Sequence, residues 1–314
     1  MKQMKIQQKI QQTKIPQTEL VKISIVIICD KIRQEKLERL FCSLGKLPSE
    51  VELLLLHESN LLVLPPRLPF PFRYILIPEK QGIPFNRNQG IKEAAGEIIV
   101  FIDDDCWVPE RWLQHLVEPL KRNKAIMAVT GGTKIPRSNF LGDGVSALGF
   151  PGGGSLGFEK VWKVSPEGLT NHLSVGNCAL RRKVFEQVGF FDETMKSGAE
   201  DTEFSYRLEK ARIPVCYVPE AFAYHEARTT WKSFVGWQVR RGRANYQFKA
   251  KVGNINGFIK LRLWSAVNIV RENLNWKLPL VLFLLGASFV LQQWGYWQER
   301  KKEEQKNKAE KQGR

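Results

Sequence analysis

An apolar run that ends in three consecutive aspartates constrains this chain more than any other feature. Residues 98–100 follow a turn at Gly96, and Asp103, Asp104 and Asp105 stand where the run ends. The run predicts a buried strand, and ligands of an open α/β sheet bind at the carboxyl ends of its strands. Adjacent carboxylates repel one another, so a cation such as Mg²⁺ or Mn²⁺ would stabilise them. A solvated acidic turn is the alternative.

Strand and helix patterns alternate on both sides of this stretch, which predicts an α/β fold. Buried strands are predicted for residues 23–28, 51–56, 73–77, 126–130, 173–180 and 213–218, the last of them ending near residues 224–226. Helices are predicted for residues 31–47, 82–95, 182–188 and 202–210, with another after Pro109. The strand, helix, strand order implies right-handed crossovers and a parallel sheet. The glycine-rich residues 138–160 are predicted to form a mobile loop near the site.

The excess positive charge of the chain lies in the segments that flank its core. The 314 residues carry a formal net charge of +16, yet residues 23–225 hold 25 basic and 25 acidic side chains. Residues 226–277 hold 11 basic and 2 acidic side chains. Basic flanks on a neutral core indicate a polyanionic partner such as a membrane surface. Five scattered cysteines without a C-x-x-C pair predict reduced thiols in a cytosolic compartment, and the Lys/Gln-rich start predicts no signal peptide.

Two common nucleotide-binding signatures are missing from the sequence. No G-x-G-x-x-G follows the first strand, and no G-x-x-x-x-G-K-[ST] occurs anywhere. Their absence argues against a dinucleotide-dependent oxidoreductase and against a P-loop NTPase. A sheet edge that displays carboxylates instead of a glycine-rich phosphate loop needs a metal to hold a diphosphate.

Several short motifs stand in a fixed order between residues 86 and 208. They are Arg87-Asn88-Gln89-Gly90-Ile91 with Ala95-Gly96-Glu97-Ile98-Ile99, the aspartate triplet, Gly176 to Arg182, Val188 to Glu193, and Gly198-Ala199-Glu200-Asp201 with Arg207-Leu208. Each motif alone is weak, but together and in this order they resemble the family 2 inverting glycosyltransferases, which have the GT-A fold. The resemblance covers roughly residues 22–230. It implies a mostly parallel, Rossmann-like sheet between helices.

The resemblance implies a donor site around the aspartate triplet. Asp103 would contact the ribose or diphosphate of a nucleotide-sugar, with Arg87 and Asp104 as further donor-binding residues. Asp105 would coordinate a divalent metal, Mn²⁺ or Mg²⁺. His225 stands at the position of the family's downstream metal ligand. A lone histidine is more often a surface or core residue, and only its place after the last strand favours a ligand here.

The resemblance also implies a general base. Asp201, with Glu200 beside it, would remove the proton of the acceptor hydroxyl. Taken alone, this acidic pair is better explained by capping of the helix that follows it. Displacement at an anomeric carbon needs a deprotonated nucleophile on one face and a stabilised diphosphate on the other. Because the diphosphate is already an activated leaving group, the two-carboxylate scheme of glycoside hydrolases is not needed.

The ends of the first two strands depart from the family pattern. Residues 28–31 read Ile-Cys-Asp-Lys, where the family has a Pro-Thr-Tyr-Asn-like segment that cradles the base. His57 and Glu58 stand where the family has two Asp- or Asn-like residues. Glu58 can still accept a hydrogen bond from a uracil N–H. A UDP-sugar is therefore the expected donor.

The C-terminal flank predicts attachment to a membrane. Residues 228–251 interleave basic and aromatic side chains, which suits an amphipathic helix on anionic lipid, single-stranded nucleic acid, or a solvated helix over the acceptor side. Residues 278–298 carry no charge and are about long enough to cross a bilayer. Trp294, Tyr296 and Trp297 then stand where an interfacial aromatic belt would lie. This favours lipid over nucleic acid, with an interfacial or re-entrant helix as the alternative to a transmembrane one.

These patterns predict five parts and one function. The parts are a flexible basic leader (1–21), a catalytic domain (22–230), a basic amphipathic helical region (231–277), a transmembrane or interfacial helix (278–298) and a charged tail (299–314). We expect a metal-dependent inverting glycosyltransferase at the cytoplasmic face of the cell membrane, where nucleotide-sugars are made, acting on a glycan or lipid-linked acceptor. A nucleotidyltransferase of related fold is one alternative, although its basic glycine-rich loop is missing. A non-catalytic basic protein that binds membrane or nucleic acid is the other.

Overall fold

The structure is a computed structural model that describes residues 22–29, 32–59 and 71–312. The predicted leader, the Asp30-Lys31 pair and most of the proline-rich connection after the second strand lie outside these residues. The strands are β1 (Ile23–Cys29), β2 (Val51–Glu58), β3 (Arg73–Ile77), β4 (Ile98–Ile102), β5 (Cys106–Trp107), β6 (Ala128–Lys134), β7 (Leu169–Thr170), β8 (Asn177–Arg181) and β9 (Val215–His225). The helices are α1 (Gln34–Leu44), α2 (Ile83–Glu93), α3 (Trp112–Arg122), α4 (Phe140–Ser146), α5 (Phe158–Val161), α6 (Lys183–Val188), α7 (Glu200–Lys210), α8 (Trp231–Val252), α9 (Asn256–Glu272) and α10 (Leu278–Gln312).

These strands form one mixed sheet in which the long strands share a direction. Their order is β3-β2-β1-β4-β8-β6-β9-β5, and β7 pairs with β9. Strands β1, β2, β3 and β4 pair in parallel. Strand β8 runs antiparallel to both β4 and β6, so β4 and β6 point the same way, and β9 is parallel to β6. The carboxyl ends of β2, β4, β6 and β9 therefore meet at one edge, where the aspartate triplet emerges.

The sheet is buried on both faces, as its continuous apolar strands require. Along β1, Ile25 and Ile27 pack with α1 and α3 on one face. Val26 faces the other way and packs with residues of α2, α6 and α7. This alternation explains why the first strand has no polar stripe: both of its faces belong to the core.

Three predicted strands differ in extent from the observed ones. Strand β8 begins at Asn177 and not at Leu173, because a turn in which the Asn177 N–H donates to the Ser174 carbonyl comes first. Strand β9 begins at Val215 and not at Ile213, and it runs to His225, near its predicted end, because it pairs with β6 across a bulge and then with β5. Strand β6 continues to Lys134, beyond its predicted end. The length of β9 matters because it carries His225 to the site.

The prediction of a loop over residues 138–160 is wrong in part, because this segment contains helices α4 and α5. Gly144 lies in α4, where a Cβ would collide with Leu280 and Leu284 of α10. Asn139 caps α4 by accepting from the Gly142 N–H at 2.8 Å. Local composition predicts a loop here, but packing against the C-terminal helix stabilises the helical turn.

Helices α8, α9 and α10 form a helical layer that packs against α4. Val145 and Leu148 join Phe234, Val281 and Leu284 in one buried apolar cluster. Helix α10 is continuous from Leu278 to Gln312, so the apolar segment and the charged residues after it belong to one helix.

Helices α8 and α10 cross at two glycines. A Cβ on Gly242 would collide with the Gln292 carbonyl, and one on Gly295 would collide with the Val239 carbonyl. Small residues at such a crossing let two helix backbones approach closely. Around the crossing, Gln292 donates to Gln238 at 2.8 Å and accepts from Asn245 at 3.1 Å. The two helices are therefore held together by both polar and van der Waals contacts.

Candidate active site

Strand pairing brings Asp105 and His225 into contact. The triplet follows β4, and the short strand β5 then pairs antiparallel with β9, with Cys106 opposite His225. Asp105 Oδ1 consequently lies 3.2 Å from His225 Nε2. The two predicted metal ligands, 120 residues apart in the sequence, are thus neighbours in the fold.

The hydrogen bonds of His225 leave a place for a cation. Its Nδ1 lies 2.7 Å from the backbone carbonyl of Glu226, which can only accept, so Nδ1 carries a proton. In neutral imidazole Nε2 then has a lone pair that faces the Asp105 carboxylate, and two acceptors at this distance need a proton or a metal ion between them. Burial disfavours protonation of His225, but the hydrogen bond with Asp105 outweighs it and raises the pKa of His225. A divalent ion that replaces this proton fits the donor set.

The protein offers such an ion few ligands. In the part of the chain that the structure describes, no group of three or more His, Cys, Asp or Glu side chains is arranged to hold a metal. Mg²⁺ and similar ions are commonly held by one or two carboxylates together with phosphate oxygens and water. The Asp105–His225 pair fits that type of site, in which substrate oxygens complete the coordination.

Asp103 and Glu200 are linked through the buried guanidinium of Arg87. Arg87 donates to Glu200 Oε1, and its Nη2 lies 3.8 Å from Asp103 Oδ1. Desolvation raises the pKa of Asp103 to about 6, with Arg87 opposing and the Asp105 carboxylate adding to the shift. The carboxylate still presents 45% of its side-chain surface to solvent. Of these three predicted site residues, only Asp103 is open enough to meet a ligand directly.

Two predicted donor-binding carboxylates already have partners within the protein. Both oxygens of Asp104 accept from Arg33 Nη2, at 3.1 and 3.0 Å. Glu58 Oε1 accepts from the backbone N–H groups of Gln81 and Gly82, at 2.6 Å from the latter. The Arg33 contact fixes the segment between β1 and α1 against the loop after β4. The Glu58 contact fixes the loop between β3 and α2. Donor contacts from these two residues remain predictions.

Asp201 occupies the second position of α7, as the sequence predicts, behind a strained turn. Ala199 has φ 62°, a left-handed conformation that a non-glycine residue rarely adopts. Asp201 Oδ1 accepts from the Thr202 N–H at 2.7 Å. Desolvation, followed by the Glu200 charge, raises the pKa of Asp201 to about 6. A carboxylate with that pKa is deprotonated at neutral pH and remains a useful proton acceptor.

Other motif residues support the site without lining it. Asn177 donates to the Gly132 and Ala221 carbonyls, both at 2.8 Å, and accepts from Trp112. Asn88 donates to the Phe191 carbonyl at 2.9 Å, which ties α2 to the turn before α7. No sequence pattern indicated that Arg33 binds Asp104, since Arg33 lies 71 residues away in a different helix-loop unit. Three arginines beside the site, Arg228, Arg241 and Arg262, were also missed.

Comparison with known proteins identifies the domain. Residues 61–189, which include the aspartate triplet and the Gly176 to Arg182 motif, match the sequence model of glycosyl transferase family 2. The chain carries a glycosyltransferase family 2 domain. This agrees with the order of motifs in the sequence, and it favours glycosyl transfer over nucleotidyl transfer.

Relatives of several kinds match the domain. The succinoglycan biosynthesis protein ExoM of Rhizobium meliloti is 30% identical over 184 residues, covering 56% of this chain and 54% of that protein. The poly-beta-1,6-N-acetyl-D-glucosamine synthase of Staphylococcus epidermidis is 24% identical over 170 residues, covering 53% and 40%. A probable N-acetylgalactosaminyltransferase 7 of Caenorhabditis elegans is 25% identical over 169 residues, covering 48% and 28%. The matched part thus spans between about a quarter and about half of the length of these curated relatives.

A solved structure confirms the fold. The mannosyltransferase of Pyrobaculum calidifontis, solved in complex with GDP-Man and Mn²⁺, superposes with a TM-score of 0.54 over 87% of this chain and 76% of that one, at 15% identity. Such a likeness shows the GT-A fold alone. The predicted fold class is therefore confirmed, while the roles of individual site residues remain predictions.

Proposed function

We propose that this protein is a metal-dependent inverting glycosyltransferase that moves a sugar from a nucleotide diphosphate, expected to be UDP, to a glycan or lipid-linked acceptor. The contact between Asp105 and His225 carries the proposal, because these side chains leave a place for a divalent ion at the sheet edge. A divalent ion held there would act as a Lewis acid on the diphosphate leaving group. The ion bound by the Pyrobaculum neighbour is Mn²⁺.

The donor side depends on how the residues around Arg87 are arranged. Asp103, half open to solvent, is suited to bind the ribose or diphosphate of the donor. Arg87 is locked by Glu200 and keeps a positive charge 3.8 Å from Asp103. Glu58, with one oxygen engaged by backbone N–H groups, would accept from the base with the other. Each of these roles positions the donor and leaves the proton transfer to Asp201.

Asp201 supplies the base. The acceptor hydroxyl gives its proton to the Asp201 carboxylate as its oxygen attacks the anomeric carbon. The bond from that carbon to the diphosphate oxygen breaks, the nucleoside diphosphate leaves, and the configuration inverts. The raised pKa of Asp201 matches the role, because a carboxylate with pKa about 6 is a stronger base than an ordinary one.

Nucleotide release tests this assignment. Purified protein with Mn²⁺ and a panel of nucleotide-sugars should hydrolyse one donor slowly, and chelation of the metal should abolish the release. Asp201→Asn should still bind that donor without turning it over. If no donor binds with or without metal, the enzymatic proposal is wrong.

We also propose that the protein attaches to the cytoplasmic face of the cell membrane through α10. One helix of the described residues, Leu278–Ala309, is long and apolar enough to cross a membrane, and 22% of its apolar window is buried. One side of it exposes a row of large apolar residues, namely Leu282, Phe283, Phe289, Val290, Trp294 and Trp297. Lys301 lies 3.9 Å from the ring centre of Trp297, where it would meet anionic headgroups.

The packing of α10 favours an orientation in the plane of the membrane. Its other side is fixed against α8 by the glycine crossing and by Gln238. Helix α8 exposes Arg240 and Arg243 along the same stretch. A bilayer-spanning α10 would carry these charges into hydrocarbon at a cost of about 2.5 kcal/mol or more each. An interfacial helix keeps them in water, and so the interfacial alternative is preferred.

Vesicle binding and topology test the attachment. Full-length protein should sediment with anionic vesicles, and Phe289→Asp with Val290→Asp should reduce binding far more than Gln293→Glu on the same exposed side. A protease-sensitive tag placed after residue 314 should be cleaved from the same side as the catalytic domain. Cleavage from the opposite side would show that α10 spans the bilayer.

A further inference from the structure

Three arginines beside the site alternate with aromatic rings. Their guanidinium carbons lie close to ring centres in a row: Arg228 to Trp237 at 4.9 Å, Arg241 to Trp237 at 5.2 Å and to Phe150 at 4.0 Å, and Arg262 to Phe150 at 5.2 Å and to Trp162 at 3.9 Å. We refer to these residues as the arginine row. It joins Arg228, which precedes α8, and residues of α8 and α9 to Phe150 and Trp162, which lie before and after α5. The proposed mechanism does not use it.

The guanidinium of Arg262 has no hydrogen-bond partner in the part of the chain that the structure describes. All three of its nitrogens are shielded from solvent, and none has an acceptor within the described residues. Nor does any described carboxylate form an ion pair with Arg262, Arg241 or Arg228. A buried cation with unsatisfied donors is unfavourable unless a partner arrives, and stacking on Trp162 satisfies none of its N–H groups.

Different carboxylates of the site act on different members of the arginine row. Burial lowers the pKa of Arg262 to about 9 and that of Arg241 to about 10, and in both cases the Asp201 carboxylate opposes the shift. For Arg228 the opposing carboxylate is that of Asp105. The packing places Arg241 on the side of the proposed base, because Ala244, about one turn further along α8, faces Gly198 in the turn before Asp201: a Cβ on Gly198 would lie 3.8 Å from it. Arg262 stacks on the same Phe150 ring as Arg241 and so lies next to it. Both remain cationic at neutral pH.

We propose that Arg262, together with Arg241, binds an anionic group of the acceptor, a phosphate or a carboxylate. The inference rests on the proposed function, because it takes Asp201 as the residue that receives the acceptor proton. An anion beside Asp201 travels with the acceptor, since the diphosphate of the donor is expected at Asp105. Guanidinium groups bind phosphate and carboxylate through paired N–H donors, and Arg262 has its N–H groups free of protein partners. A phosphate-linked lipid acceptor at the membrane surface is one source of such a group, and an acidic sugar is the other.

Matched acceptors test the proposal without any mutation. Full-length protein with Mn²⁺ and the donor found by nucleotide release is assayed with methyl glycosides, the corresponding glycosyl 1-phosphates and the corresponding methyl uronides. We expect kcat/KM to be at least about tenfold higher for one of the charged sets, about the effect of one charge-assisted hydrogen bond. A preference for the phosphates points to a phosphate-linked acceptor, and one for the uronides points to an acidic sugar. Equal rates with neutral and charged acceptors would overturn the proposal.

Variants of Arg262 locate the effect. Arg262→Met should lower transfer to the charged acceptor at least tenfold more than it lowers donor hydrolysis in water, mainly through KM, and Arg262→Lys should recover part of the loss. The matched control is Arg271→Met, an exposed arginine of the same helix, which should leave both reactions unchanged. An equal loss of hydrolysis and transfer in Arg262→Met would mean that this residue serves the donor or the fold, and the proposal would fail. If wild-type protein releases no nucleotide from any donor, it is the proposed function that fails.

Discussion

The two sides of the candidate site are built in different ways. On the metal side, Asp105 and His225 lie beside each other because adjacent strands β5 and β9 bring them there. On the base side, Asp201 comes from a helix start, and Arg241 and Arg262 come from two helices of the C-terminal layer. The metal side is therefore fixed by backbone hydrogen bonds of the sheet, and the base side by packing between helices.

The difference separates what is general from what is particular in this protein. A diphosphate and a metal ion make the same chemical demands on any site that binds them, and a sheet edge can supply their ligands rigidly. An acceptor differs from one enzyme to the next, and side chains on packed helices can change without altering the sheet. We infer that acceptor choice resides in the C-terminal layer. The predictions below separate the two sides.

The largest effect should follow from Asp201→Asn. We expect sugar transfer to fall by roughly 10²- to 10⁴-fold, since the acceptor hydroxyl loses its proton acceptor. Metal and donor affinity should change little, as measured by titration calorimetry. The thermal unfolding midpoint should not fall, because the raised pKa shows that the folded protein disfavours the charged carboxylate. Retention of more than a tenth of the transfer rate would contradict the assignment.

Replacing His225 should affect the metal side alone. Loss of a residue that only supports a metal ligand lowers metal affinity by roughly 10- to 100-fold. In His225→Gln we expect Mn²⁺ affinity to fall by at least this factor. Metal-activation curves for nucleotide release measure this, and excess Mn²⁺ should restore part of the rate. His115→Gln, in helix α3 outside the site, is the control. An unchanged activation curve in His225→Gln would remove the metal assignment.

The pH profile should reflect the base side once metal is saturating. Nucleotide release should rise about tenfold per unit as pH increases toward about 6 and then level off, because Asp201 must lose its proton to act as base. Metal affinity should also rise with pH, since His225 has a raised pKa and must lose a proton to bind metal. A profile that is flat from pH 5 to 8 at saturating Mn²⁺ would contradict the role of Asp201.

The smallest effect concerns the support of the base side. Gly295→Ala places a Cβ against the Val239 carbonyl and should cost about 1–3 kcal/mol in the free energy of unfolding. Calorimetry should show a lower unfolding midpoint, and transfer should fall while Mn²⁺ affinity is kept. Gly286→Ala in the same helix meets nothing within 4 Å and is the matched control. Equal midpoints for the two variants would mean that the crossing is loose.

The sequence predicted the sheet strands and the presence of helices after residue 230, but not how those helices pack on the rest of the molecule. Strand β3 has the predicted bounds, and the Asp105–His225 pair could be proposed because motif order places both at strand ends. Apolar runs and family motifs both act locally, so they are readable in one dimension.

Contacts between distant segments could not be read in this way. The helix at residues 140–146 depends on Leu280 and Leu284, which lie more than 130 residues away. Arg262 looked like one basic residue among many in a basic region. Only the fold shows that its guanidinium is enclosed by aromatic rings and lacks an acceptor among residues 22–29, 32–59 and 71–312. Charge patterns on helices do not reveal which charges are buried.

The central claim, that Asp105 and His225 hold the catalytic metal, is tested most directly by anomalous diffraction. Crystals are soaked with Mn²⁺ and UDP together, and other crystals with Mn²⁺ and GDP. They should show a manganese peak about 2 Å from both His225 Nε2 and an Asp105 carboxylate oxygen. Diphosphate oxygens of the bound nucleotide should complete the coordination. A nucleotide bound at the sheet edge with no manganese between these two side chains would contradict the account.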